Sequence, residues 1–130
     1  MTNPEILNFN QQMRERTLSM SVEVHNLFQQ KKIIQLDRPM VQQILRSSSS
    51  VAANWRAATR ARSDAEFYSK ICIVAEECDE TQFWLEYLGR ISIVTDSESK
   101  NLRSEVEQLV KMFTTIKKKL KAKTRNNLKQ

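Results

Sequence analysis

Glu76, Glu77, Asp79 and Glu80 form the densest group of side chains in this sequence that could bind a metal or move a proton. Carboxylates one helical turn apart can share a divalent cation. Di-iron bundles combine such glutamates with Glu-x-x-His pairs on facing helices. Here His25 is the only histidine, and no Glu-x-x-His pair exists. The acids are better matched to the arginines that precede them, Arg46, Arg56, Arg60 and Arg62. Interhelical ion pairs or subunit contacts are therefore expected, and no metal site. Ser47 to Ser50 supply hydroxyls, but a nucleophilic serine needs a positioned base; with one histidine in the chain, these serines are read as small packing residues. Glycine-rich phosphate loops and zinc-ligand spacings are both missing. The sequence thus predicts a protein without catalytic residues, cofactor or metal.

Positive charge offers a different chemistry. The chain carries a formal net charge of +6, and its distribution is uneven. Residues 111–130 hold eight basic side chains and no acid, which leaves 13 basic and 15 acidic residues in 1–110. Lys117, Lys118, Lys119, Lys121 and Lys123 surround Leu120, with Arg125 just beyond. On a helix they would present charge in most directions. Such a segment attracts polyphosphate without reading sequence. Arg56, Arg60 and Arg62 would add a second basic surface at the end of the second helix. Large apolar residues that could anchor the segment in a membrane are not interleaved with it, so nucleic acid is the expected ligand. Phe83, Trp84 and Tyr87 widen the apolar arc of the third helix beyond one seam, which suggests a second partner such as another subunit.

Four helices must position these groups. One glycine and two prolines in 130 residues leave few breaks. The first helix is expected from about Pro4 to Ile34, capped by Asn3, with Ile6, Phe9, Met13, Met20, Val24 and Leu27 inward and a polar gap at Arg16 and Thr17. The second is expected to follow Asp37 as N-cap, with Pro39 in its first turn and a stripe of Ile44, Ser48, Val51, Trp55 and Ala58. Ser63-x-x-Glu66 and Thr95-x-x-Glu98 are capping boxes that open the third and fourth. The third buries Phe67, Ile71, Val74, Cys78, Leu85 and Leu88, has Thr81 at its polar seam position, and is expected to end at Gly89. The fourth repeats Leu102, Val106, Leu109, Phe113, Ile116 and Leu120 as an unbroken heptad seam.

The fold class that follows is all-α, an antiparallel up-down-up-down four-helix bundle. A single domain is expected over 1–122, with a basic, frayed or disordered tail over 123–130. Cys72 and Cys78 are six residues apart on one helix and point to different faces, so they are expected as free thiols in a reducing cytoplasm. The first ten residues show no basic patch followed by an apolar core, so no secretion signal is expected.

The run from Ser49 through Val51-Ala52-Ala53-Asn54-Trp55-Arg56-Ala57-Ala58, then Arg60-Ala61-Arg62-Ser63, Glu66-Phe67, Lys70, Glu76-Glu77-Cys78-Asp79-Glu80-Thr81 and Trp84-Leu85-Glu86 resembles the bacterial four helix bundle protein family. That family is also called the 23S rRNA-intervening-sequence protein family. The accessory variability determinants of diversity-generating retroelements are related to it. The specific motifs lie in about 47–88, and the rest matches in helix order and length. The resemblance implies a ring-shaped homopentamer without enzymatic activity. It also implies nucleic acid and, in the retroelement group, a reverse transcriptase as partners met through basic surfaces. Phe83, Trp84 and Tyr87 are the expected oligomer interface.

Overall fold

The computed structural model describes residues 3–129, with side chains described through Asn126. Met1, Thr2 and Gln130, the last residue of the expected tail, lie outside the described residues. Four helices follow in order: α1 (Pro4–Gln29), α2 (Arg38–Ala58), α3 (Asp64–Arg90) and α4 (Asp96–Lys129). Each packs on its chain neighbours, and α1 also packs on α4. The bundle is therefore a square in which α1 faces α3 across one diagonal and α2 faces α4 across the other. No strand occurs among the described residues.

The local signals explain most boundaries. Asn3 Oδ1 accepts from the Glu5 N–H at 2.8 Å and starts α1. Ser63 Oγ accepts from the Glu66 N–H at 3.1 Å and starts α3, while Glu66 reaches back to the Arg62 N–H at 3.3 Å. At α4 the box is reciprocal: Thr95 Oγ1 accepts from Glu98 N–H at 3.1 Å and Glu98 Oε1 from Thr95 N–H at 2.9 Å. These contacts satisfy donors that a helix start would otherwise leave open.

Five expectations need correction. α1 stops at Gln29 rather than Ile34, because Phe28 is its last buried residue and the chain must then cross to α2. Asp37 precedes α2, but its side chain makes no capping bond; its carbonyl accepts from Met40 and Val41 instead. Ile6 is 52% exposed and outside the core. Gly89 remains inside α3, and the left-handed residue that ends the turn is Ser92, with φ 64°. The Ile93 N–H then reaches back to the Leu88 carbonyl at 2.9 Å, closing the helix end. Finally, α4 is helical past 123, to Lys129. Its apolar seam does end at Leu120. Lys, Ala, Arg and Leu sustain a helix by propensity, and cations suit its C-terminal dipole.

The core is one cluster. Met13, Met20, Val24 and Phe28 of α1 meet Val41, Ile44, Val51, Trp55 and Ala58 of α2, Ile71, Val74, Cys78, Leu85 and Leu88 of α3, and Leu102, Val106, Leu109 and Phe113 of α4. The polar seam positions are satisfied inside it. Thr17, fully buried, donates to the Arg14 carbonyl at 3.2 Å. Thr81 Oγ1 lies 2.9 Å from Ser47 Oγ across the α2–α3 seam, and both hydroxyls are buried. Among the described residues, every buried side-chain nitrogen and oxygen has a hydrogen-bond partner.

Candidate nucleic-acid interface

Antiparallel packing decides which charges become neighbours. The start of α1, the end of α2, the start of α3 and the end of α4 all lie at one end of the bundle. Trp55 holds that end together. Its ring is 1% exposed, with Phe9 edge-on at 6.2 Å and Phe113 at 5.7 Å, and its Nε1–H donates to the Asn10 carbonyl at 3.2 Å. A buried Trp removes on the order of 200 Å² from water, and its donor needs a partner there. The three ring contacts thereby fix α1, α2 and α4 against each other beside the basic surface.

Arg60 and Arg62 occupy the α2–α3 turn, both exposed. Lys118, Lys119, Lys121, Lys123 and Arg125 are exposed on the last turns of α4, and Lys117 is half-buried beside the seam. Lys123 Nζ stands 3.7 Å from Asp64 Oδ2 at the first residue of α3, which ties the α4 end to the turn carrying Arg62. Beyond that tie α4 runs six more residues to Lys129, an overhang of about 9 Å at 1.5 Å per residue. The structure thus brings two sequence-distant basic groups to one end. Of the nine cations expected at this surface, only Lys123 closes on a carboxylate among the described residues. Glu5, Asp64 and Glu66 are the acids at the same end.

Arg56 is placed differently. It is exposed one turn before Arg60 and lines a groove between α1 and α2 with Arg14, Leu18, Ala52 and Ala53. Arg14 escaped the sequence reading because only the α1–α2 packing puts it near Arg56. Lys70, half-buried in the second turn of α3, also joins the basic end. Nearby, the Tyr68 phenol is pushed above its ordinary value, mainly by hydrogen bonding to the Cys72 thiol and by burial; the Arg125 charge opposes this.

The remaining candidates lie elsewhere. Glu77 and Glu80 pair with Arg46 of α2 at 3.1 and 2.8 Å. Among the described residues, no three His, Cys, Asp or Glu side chains are grouped to hold a metal ion. Cys72 and Cys78 are both free thiols. Phe83, Trp84 and Tyr87 stack on α3 with centroid separations of 4.8 to 6.1 Å. Trp84 is half-buried against the core and donates to Glu80 at 3.3 Å. Phe83 and Tyr87 are 53% and 38% exposed. Among the described residues, no helix is long and apolar enough to cross a membrane.

The fold is shared with a crystallised protein of unknown function from the S23 ribosomal protein family of Bacteroides thetaiotaomicron VPI-5482. The two are 31% identical with a TM-score of 0.72, and the match covers 82% of this chain and 98% of that one. No curated protein matches the chain. The family model described as 23S rRNA-intervening sequence protein matches residues 10–115, which takes in the Trp55 keystone, Arg56, Arg60, Arg62 and the α3 aromatics but stops before the lysine-rich turns of α4. The chain belongs to the 23S rRNA-intervening sequence protein family.

Proposed function

We propose that this protein is a non-catalytic, oligomeric adaptor that binds nucleic acid, specifically RNA, through its basic end. One observation carries the reading: Arg60, Arg62 and the cations from Lys117 to Arg125 converge on one end of the bundle, and Lys123 alone among them is ion-paired among the described residues. Unpaired exposed cations displace counterions from phosphates, so binding is mostly electrostatic and weakens steeply with salt. The oligomer is a ring of copies, a pentamer, joined through the face bearing Phe83, Trp84 and Tyr87. Repetition of the basic end around a ring raises avidity when several copies engage one RNA. Ribosomal RNA, or RNA handled by a reverse transcriptase, is the proposed target, and a reducing cytoplasm is the proposed compartment.

A second reading has its own support. The family match ends at 115, so the lysine-rich turns lie outside the shared fold. A protein-interaction scaffold whose last turns only aid solubility is consistent with that boundary. Light scattering separates the two. The solution mass is measured with and without a mixed RNA pool at about 0.15 M salt, near physiological ionic strength. The adaptor gives an oligomer whose mass rises with RNA. An oligomer that ignores RNA supports the scaffold.

A further inference from the structure

We infer that copies of this chain join head to tail, the α3 aromatic ridge of one copy seated in the α1–α2 groove of the next. The inference rests on the oligomeric part of the proposed function and adds the half of the joint that the aromatic residues alone leave undefined.

Two exposed apolar faces exist on diagonally opposed helices. One is the ridge of Phe83 and Tyr87 on α3. The other is on α1, where Leu18 is 42% and Val22 49% exposed. Leu18 borders a groove whose α2 wall is Ser49, Ala52 and Ala53. Small side chains there leave room for an aromatic ring. The two faces are unlike, so a joint between them is heterologous. Contacts of that kind close into rings when the rotation permits.

Height and charge both match. The Trp55–Asn10 contact levels α1 with α2, and the Ser47–Thr81 contact levels α2 with α3. Leu18 lies eight residues above Asn10, and Ser47 eight residues above Trp55, about 12 Å in each case. Leu18, Ser47 and Thr81 therefore share a level. Phe83 stands about 3 Å higher, between Leu18 and Val22. A rotation about an axis parallel to the bundle carries Phe83 of one copy onto that pair in the next without a vertical shift. Below the ridge on the same outer face are Glu76 and Asp79, about 7.5 and 3 Å under the Thr81 level. Arg14, at the lower rim of the groove, is about 6 Å under it, between the two acids. Arg14, Glu76 and Asp79 make no ion pair within the chain among the described residues. A neighbouring copy supplies the opposite charge to each.

The test is the mass of the full chain, freed of RNA by nuclease, in sedimentation velocity. Leu18→Asp and Phe83→Asp each block one face. Both sites are exposed, so helix content by circular dichroism should be unchanged. Each variant alone is expected as monomer. Mixed in equal amounts they are expected as dimer, because one intact groove and one intact ridge remain. Arg14→Glu and Asp79→Arg each lower the mass, and the double variant restores it. A monomeric parent, an unchanged mass in either single variant, or a mixture that stays monomeric overturns the inference. No RNA is present in these experiments, so their failure leaves RNA binding by the basic end standing, and loss of RNA binding leaves them unaffected.

Discussion

Where α1 turns into α2 and α3 into α4, cations close on carboxylates: Lys31 of the α1–α2 connection on Glu98 of α4 at 2.7 Å, Arg103 on Asp96 within α4 at 3.7 Å and, one step inward, Arg46 of α2 on Glu77 and Glu80 of α3. At the opposite end, Arg60, Arg62, Lys118, Lys119 and Lys121 face solvent without such partners among the described residues. Both ends are built from the same kinds of residue on the same four helices. They differ in where the acids fall, and antiparallel packing converts that difference along the sequence into an axis of charge. Matched charges hold neighbouring helices in register at one end. Unmatched charges at the other remain available to an external polyanion.

The most damaging change to this contrast should be Trp55→Ala, since it empties the packing beneath the basic end. It is expected to cost about 3–5 kcal/mol of stability by denaturant unfolding. Removal of residues 121–130, which leaves Leu120 and the seam in place, should do the reverse. Residues 121–126 are exposed, so the melting temperature should move little. RNA affinity should fall about 100-fold at low salt, and a loss of about four phosphate contacts should flatten the log–log salt slope by about 3. At the paired end, Arg46→Ala should cost no more than about 1 kcal/mol, because the arginine is half exposed, and should leave RNA affinity unchanged. An equal RNA defect in that variant would erase the distinction between the two ends. Thiol labelling gives a finer check on packing. Burial, with Asp79 and Glu105 nearby, pushes Cys78 up to about 12, so it should stay unmodified at neutral pH while half-buried Cys72 reacts. The smallest effect belongs to Glu98. Its carboxyl is held below its ordinary value by Lys31 and by the Thr95 N–H. That stabilisation is present above the unfolded value and drains as pH falls through the folded one. The difference in melting temperature between the parent chain and Glu98→Gln should therefore shrink in acid, below about pH 4.3.

Seams and boxes made the fold legible in the sequence. Leu102 to Phe113 and Ile71 to Leu88 repeat at helical spacing; the Thr95–Glu98 box closes reciprocally, while Ser63 caps α3 and Glu66 reaches one residue further, to the Arg62 N–H. The misplaced boundaries have identifiable causes. The α1 terminus depends on Phe28 being the helix's last buried side chain, a tertiary fact. The turn after α3 selected Ser92 over Gly89 for its left-handed residue, because helical packing extends past the glycine to Arg90. The basic end was half legible. The run from Lys117 to Arg125 is visible as composition, but its proximity to Arg62 appears only when Lys123 meets Asp64. The Arg14 groove left no signal, since its residues are some forty positions apart and individually ordinary.

The central claim is that the unpaired cations at one end bind RNA. The most direct measurement is the salt dependence of RNA affinity for the full chain beside a variant in which Lys117, Lys118, Lys119, Lys121, Lys123 and Arg125 are all glutamine. Helix, length and seam are retained, so only charge differs. The parent should show a steep negative slope of log affinity against log salt, and the variant a slope shallower by about 4. Superimposable slopes would contradict it and remove RNA binding from the basic end.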